Sequence, residues 1–129
     1  FLFHMLNFMC MINPKYLIAT TLTLIKNCFE KYNFHIVSGS DEKELIFLCK
    51  ELKIEKYFRS INGSPTHKNE LVRNILSSNG YNKEETILIG DSINDYEAAR
   101  INMINFYGFN NIKLAKLSTL YLKDYRVLS

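Results

Sequence analysis

A chain of 129 residues, 47% hydrophobic and 22% charged, is one domain's worth of ordinary globular sequence, long enough to bury a sizeable core. Its formal net charge of +3 comes from Lys and Arg scattered among acids, which argues against a nucleic-acid partner. Cys10, Cys28 and Cys49 are odd in number, widely spaced and without a C-x-x-C pair, so buried reduced thiols in a cytoplasmic protein are expected rather than a disulfide scaffold.

The opening "FLFHMLNFMCMIN" is strongly apolar. It has no basic leader and no small-residue cleavage site, and it falls short of the ~20 apolar residues that a membrane helix needs. We read residues 1–13 as belonging to an upstream segment, with no membrane role. Pro14 then opens a helix over 16–31, with Leu17, Leu24, Ile25 and Cys28 on one face. Residues 34–37 read as a buried strand ending at Ser38-Gly39. Ser40 or Asp41 caps a helix over 42–52, which turns Leu45, Ile46, Leu48 and Cys49 toward the sheet. A short strand over 58–61 is broken by Asn62-Gly63-Ser64-Pro65, a turn signal.

Thr66 is expected to cap a helix to about residue 78, closed by Asn79-Gly80. A strand over 86–90, a helix over 93–101 and a strand over 103–107 follow. Residues 114–128 read as a helix and a short terminal strand or turn. Strands alternating with helices indicate βαβ units, hence an α/β fold with a doubly wound, Rossmann-like parallel sheet. His4, His35 and His67 share no metal-ligand spacing and are expected to be structural or exposed.

Three short stretches carry chemistry. In "ETILIGDSINDYEAAR" an apolar strand runs into Gly90, and Asp91 and Asp95 follow, four apart. One reading is local: Ser92 and Asp95 form a capping box, and acids suit the first turn of a helix. The other is a cation site, since open α/β sheets place ligands at the carboxyl ends of strands and Mg²⁺ takes one or two carboxylates plus water and phosphate. In "IVSGS" the Ser38 hydroxyl and Gly39 amide at a strand end would bind a phosphoryl oxygen, or form a simple turn before a cap. In "SPTHKNEL" Lys68 sits in the first helical turn, where a cation opposes the dipole unless an anion compensates it. A solvated surface role is the alternative.

This order, Ser after a strand, Lys at a helix start and G-D-x-x-x-D after a strand, resembles the haloacid dehalogenase-like hydrolases, a superfamily dominated by phosphatases. The resemblance covers about residues 16 to 110. "IVSGSDEKEL", "INGSPTHK" and "GDSINDYEAA" look most like its phosphoglycolate-phosphatase-like branch. It implies that Ser38, Gly39 and Lys68 hold a phosphoryl group and that Asp91 coordinates Mg²⁺. Asp95 would bind the metal directly or through water, or orient its neighbours. The implied partner is a small phosphorylated metabolite. On this reading 14–129 are the core domain and 1–13 the remnant of a cap helix or upstream segment.

The family's reaction starts from an Asp nucleophile in a D-x-D motif on the first strand. Here the aspartates are Asp41, Asp91, Asp95 and Asp124, none precedes Asp41, and no D-x-D occurs. Three explanations stand: a parent protein whose nucleophile strand and most of a cap lie upstream, a non-catalytic phosphate-binding or scaffolding relative, or an unrelated α/β module. The first implies that this chain alone is inactive.

Overall fold

The structure, a computed structural model, describes residues 2–4, 7–10, 25–27, 30–109 and 111–122, with backbone alone at 2–4, 7–10, 109 and 122. Strands β1 (Leu2–His4), β2 (Asn7–Cys10), β3 (His35–Asp41), β4 (Ser60–Ser64), β5 (Ile87–Gly90), β6 (Asn105–Phe109) and β7 (Leu120–Leu122) form one sheet. Its order is β4-β3-β2-β5-β6-β7, and every pairing along that path is parallel. β1 pairs antiparallel with β2, off the path. Three helices, α1 (Glu42–Glu51), α2 (Lys68–Asn79) and α3 (Ile93–Ile101), follow β3, β4 and β5.

Successive strand side chains point to opposite faces, and the core divides accordingly. Ile36, Ile87 and Ile89 pack with Ile25 and with Leu45 and Cys49 of α1 on one side. Val37 and Leu88 pack with Leu71, Val72, Ile75 and Leu76 of α2 and Ala98 and Ala99 of α3 on the other. This is the doubly wound parallel sheet that the sequence indicates. It explains why β3 and β5 read as continuous apolar runs, since each is covered on both faces.

Several boundaries differ from the sequence reading. β3 continues to Asp41, whose carboxylate accepts from the Glu44 amide at 3.1 Å and caps α1. The strand expected over 58–61 is shifted to Ser60–Ser64, so Asn62, Gly63 and Ser64, read as a turn, lie within it. Gly63 has a packing reason to be there: a Cβ would overlap the backbone of Ser40 and Glu42. Thr66 does not cap α2; His67 holds that place without a side-chain cap. α2 ends as expected, with Gly80 left-handed at φ 64°. β6 starts at Asn105 rather than Met103, which is 71% exposed in a left-handed conformation at φ 57°.

Residues 114–128 read from the sequence as a helix and a short terminal strand or turn; within the described residues a 3₁₀ turn at Ile112–Leu114 stands in place of the start of the helix, and the short strand is present as β7. The opening segment, expected as the remnant of a cap helix or upstream segment, carries two strands, and β2 fills the centre of the sheet where a missing first strand would leave a gap. Of the helix expected over 16–31, residues 25–27 are helical, with Ile25 fully buried; Pro14, Leu17, Leu24 and Cys28 lie outside the described residues. So do the side chains of Cys10 and His4. No helix among the described residues is long and apolar enough to cross a membrane.

Candidate active site

A cleft of about 260 Å³ opens at the carboxyl ends of β3 and β5, lined by Val37, Ser38, Gly39, Ser40, Lys68, Asp91, Ser92 and Asp95. All five residues singled out from the sequence are in it. Each arrives by a different local route. Ser38 and Gly39 lie on β3, just past its last core residue, Val37. Lys68 is the first residue of α2. Asp91 follows β5, and Asp95 stands in the first turn of α3.

The centre of the arrangement is an ion pair. Lys68 Nζ lies 2.8 Å from Asp95 Oδ1, with the Asp95 side chain 2% exposed and Lys68 19%. The other Asp95 oxygen, Oδ2, accepts from the Asp91 and Ser92 amides, each at 3.1 Å. In return Ser92 Oγ accepts from the Asp95 amide at 3.2 Å, completing a capping box. The local and the site readings of this stretch are therefore both present in one residue. Asp95 caps the helix and holds Lys68 at the same time. Three of the roughly four acceptor positions on its carboxylate are used, and one oxygen already faces a cation. Asp95 is thus placed to position its neighbours, while its remaining capacity for a metal is small.

Asp91 differs. It is exposed at the mouth of the cleft, with its carboxyl held above the usual carboxylate range by desolvation first and by the Asp95 charge second. Its own backbone hydrogen bond and Lys68 oppose that rise. A nearby cation would relieve the strain of an ionised Asp91. Among the described residues no three His, Cys, Asp or Glu side chains gather to hold a metal. A cation here would rely on Asp91, water and the oxygens of a ligand, which fits the habit of Mg²⁺.

Ser38 is 8% exposed, and its Oγ accepts from the Ser40 amide at 3.1 Å, which leaves the O–H to donate into the cleft. Two further residues support the site: Gly90, which the motif contains but to which no role was given, and Asn111, which the motif reading passed over. Gly90 faces the Asp95 side chain so closely that any Cβ would overlap the carboxylate. Asn111 donates to the Asp91 carbonyl at 3.2 Å from a turn twenty residues away. The Gly-Asp spacing was a signal for the first; a contact so remote in sequence gave none for the second.

Residues 11–109 match the family model of the haloacid dehalogenase-like hydrolases. No curated protein sequence matches the chain. Among solved structures, a haloacid dehalogenase-like hydrolase from Streptococcus pneumoniae superposes with a TM-score of 0.79 at 21% identity, over 86% of this chain and 58% of its own. The core domain of a provisionally assigned phosphoglycolate phosphatase from Streptococcus pneumoniae gives 0.74 at 18% identity, over 95% of this chain and 90% of that domain. A provisionally assigned hydrolase of the same superfamily from Bacillus subtilis, solved with bound magnesium, gives 0.74 at 16% identity, over 86% of this chain and 52% of its own. These likenesses show the fold. The chain spans little more than half the length of the first of these proteins.

Proposed function

Because the chain belongs to the haloacid dehalogenase-like hydrolases, we propose that it is the phosphoryl-binding core of a Mg²⁺-dependent phosphatase acting on a small phosphorylated metabolite. The observation that carries this reading is the gathering of Ser38, Lys68 and Asp91 in one cleft, with Lys68 pinned by a buried Asp95. Phosphoryl transfer depends on positioning and charge neutralisation, and these groups supply both. Ser38 donates its hydroxyl to one phosphoryl oxygen, and the exposed Gly39 allows close approach of the ligand. Lys68 spends one of its three N–H donors on Asp95, so two remain for phosphoryl oxygens. Asp91 holds Mg²⁺, with Asp95 keeping the Asp91 backbone in place. The metal, when bound, neutralises charge on the phosphoryl oxygens.

The nucleophile, which in this family is an aspartate, is assigned to a longer parent protein, since no Asp precedes Asp41; β2 holds the centre of the sheet in this chain, so the parent's nucleophile strand would take that place from it. Asp41 itself caps α1. The parent then hydrolyses phosphomonoesters, phosphoglycolate among the candidates, and this chain alone binds phosphate without turnover. The missing aspartate also favours a second reading, a phosphate-binding module with no activity in any form. Free Cys49 is buried, and desolvation pushes its thiol up to about 11, which leaves it unreactive; the cytoplasmic setting we propose rests on the spacing of the three cysteines alone.

Calorimetric titration of orthophosphate, with Mg²⁺ present, into wild type and Lys68→Ala tests the proposal. The variant should lose about 1–3 kcal/mol of phosphate affinity, the scale of a charge-assisted hydrogen bond. Equal affinities would remove Lys68 from the site and end this reading. Mg²⁺-dependent hydrolysis of an aryl phosphate by the parent, absent from this chain, separates the phosphatase from the inert module.

A further inference from the structure

Asn111 begins the 3₁₀ turn Ile112–Leu114 that follows β6, and its side chain works in two directions. Oδ1 accepts from the Lys113 amide at 3.2 Å, an ordinary cap. Nδ2 donates to the Asp91 carbonyl at 3.2 Å. Capping needs only an acceptor, which Ser or Asp would provide equally well. The donor is what an amide adds. On the other side of the same residue, the Asp91 amide donates to Asp95 Oδ2 at 3.1 Å. The Asp91 backbone is therefore tied at both of its polar groups, by Asp95 within its own segment and by Asn111 from the neighbouring turn. Only the Asp91 side-chain torsions remain to choose a direction.

We propose that Asn111 is a positioning residue for Asp91, fixing the backbone from which that carboxylate reaches a divalent cation. This rests on the reading of Asp91 as the metal ligand. Groups that orient a ligand residue without touching the metal commonly change its affinity by ~10-fold or more. A hydrogen bond near solvent places Asn111 at the lower end of that range.

The test uses the 129-residue chain, with Mn²⁺ as a paramagnetic probe and amide NMR signals near Asp91 as the readout. Asn111→Ser keeps a capping oxygen but is too short to reach the Asp91 carbonyl. Asn111→Ala loses both functions. The Mn²⁺ midpoint should rise about 10-fold in both variants, while the melting temperature falls further in Asn111→Ala, which also loses the cap, than in Asn111→Ser. Faster hydrogen exchange at Ser92 in Asn111→Ser should accompany the weaker binding. An Asn111→Ser chain that binds Mn²⁺ as the wild type does, while Asp91→Asn loses the broadening, would overturn this inference alone. Equal broadening in wild type and Asp91→Asn would overturn the metal reading and this inference with it.

Discussion

Gly90 and Asp95 show how one residue's identity is fixed by another's. The Asp95 carboxylate occupies the space that a Gly90 side chain would need, and from there it reaches two amides and Lys68. Gly90→Ala should cost about 1–3 kcal/mol, the range for overpacking a filled site, and should release Lys68. Urea unfolding and the Lys68 side-chain NMR signal would report the two effects; an unchanged midpoint would refute the contact. His35 is a second tightly defined residue, 1% exposed, with Nδ1 2.6 Å from Ser60 Oγ and Nε2 2.7 Å from Tyr81 Oη. Burial, aided by Arg59, lowers its pKa from 6.5 to about 4. The unfolded chain then binds the proton more readily, so stability is complete above pH 6.5 and falls as the pH drops toward 4. The loss should reach about 3 kcal/mol, and His35→Phe should flatten this slope in melts from pH 7 to 4. An equal slope in the variant would assign the acid sensitivity elsewhere.

At the scale of elements, the carboxyl ends of β3, which carries Ser38, and of β4, which leads to Lys68, are braced against each other. Gly63 on β4 donates its amide to Glu42 Oε1 of α1 at 3.2 Å, and a Cβ at this position would overlap the backbone of Ser40 and Glu42. Gly63→Ala should therefore cost about 1–3 kcal/mol and separate the two strand ends. The milder Glu42→Ala should cost about 1 kcal/mol, the worth of one hydrogen bond. Thermal melts of both would show the order, and equal effects would contradict it. Here the sequence was only partly legible. Ser38, Lys68, Asp91 and Asp95 could be found because their setting is local, each one or two residues from a strand end or helix start. Asn-Gly-Ser-Pro carries strong turn chemistry, yet tertiary packing against α1 holds its first three residues in β4. The β2 segment has no alternation to mark it, because a central strand is apolar on both faces. Asn111 was invisible, since its work is done on a carbonyl distant in sequence.

At the scale of the molecule, a sheet covered by α1 on one face and α2 and α3 on the other brings three strand-to-helix junctions to one edge, where each junction lines part of the one cleft that we propose binds phosphate. Amide chemical shifts of the chain during titration with orthophosphate and Mg²⁺ test that claim most directly. The account predicts saturable shifts concentrated at Gly39, Ser40, Lys68, Asp91 and Ser92, reduced in Lys68→Ala. Saturable shifts that leave these five amides unmoved, or no shifts at all, would contradict it.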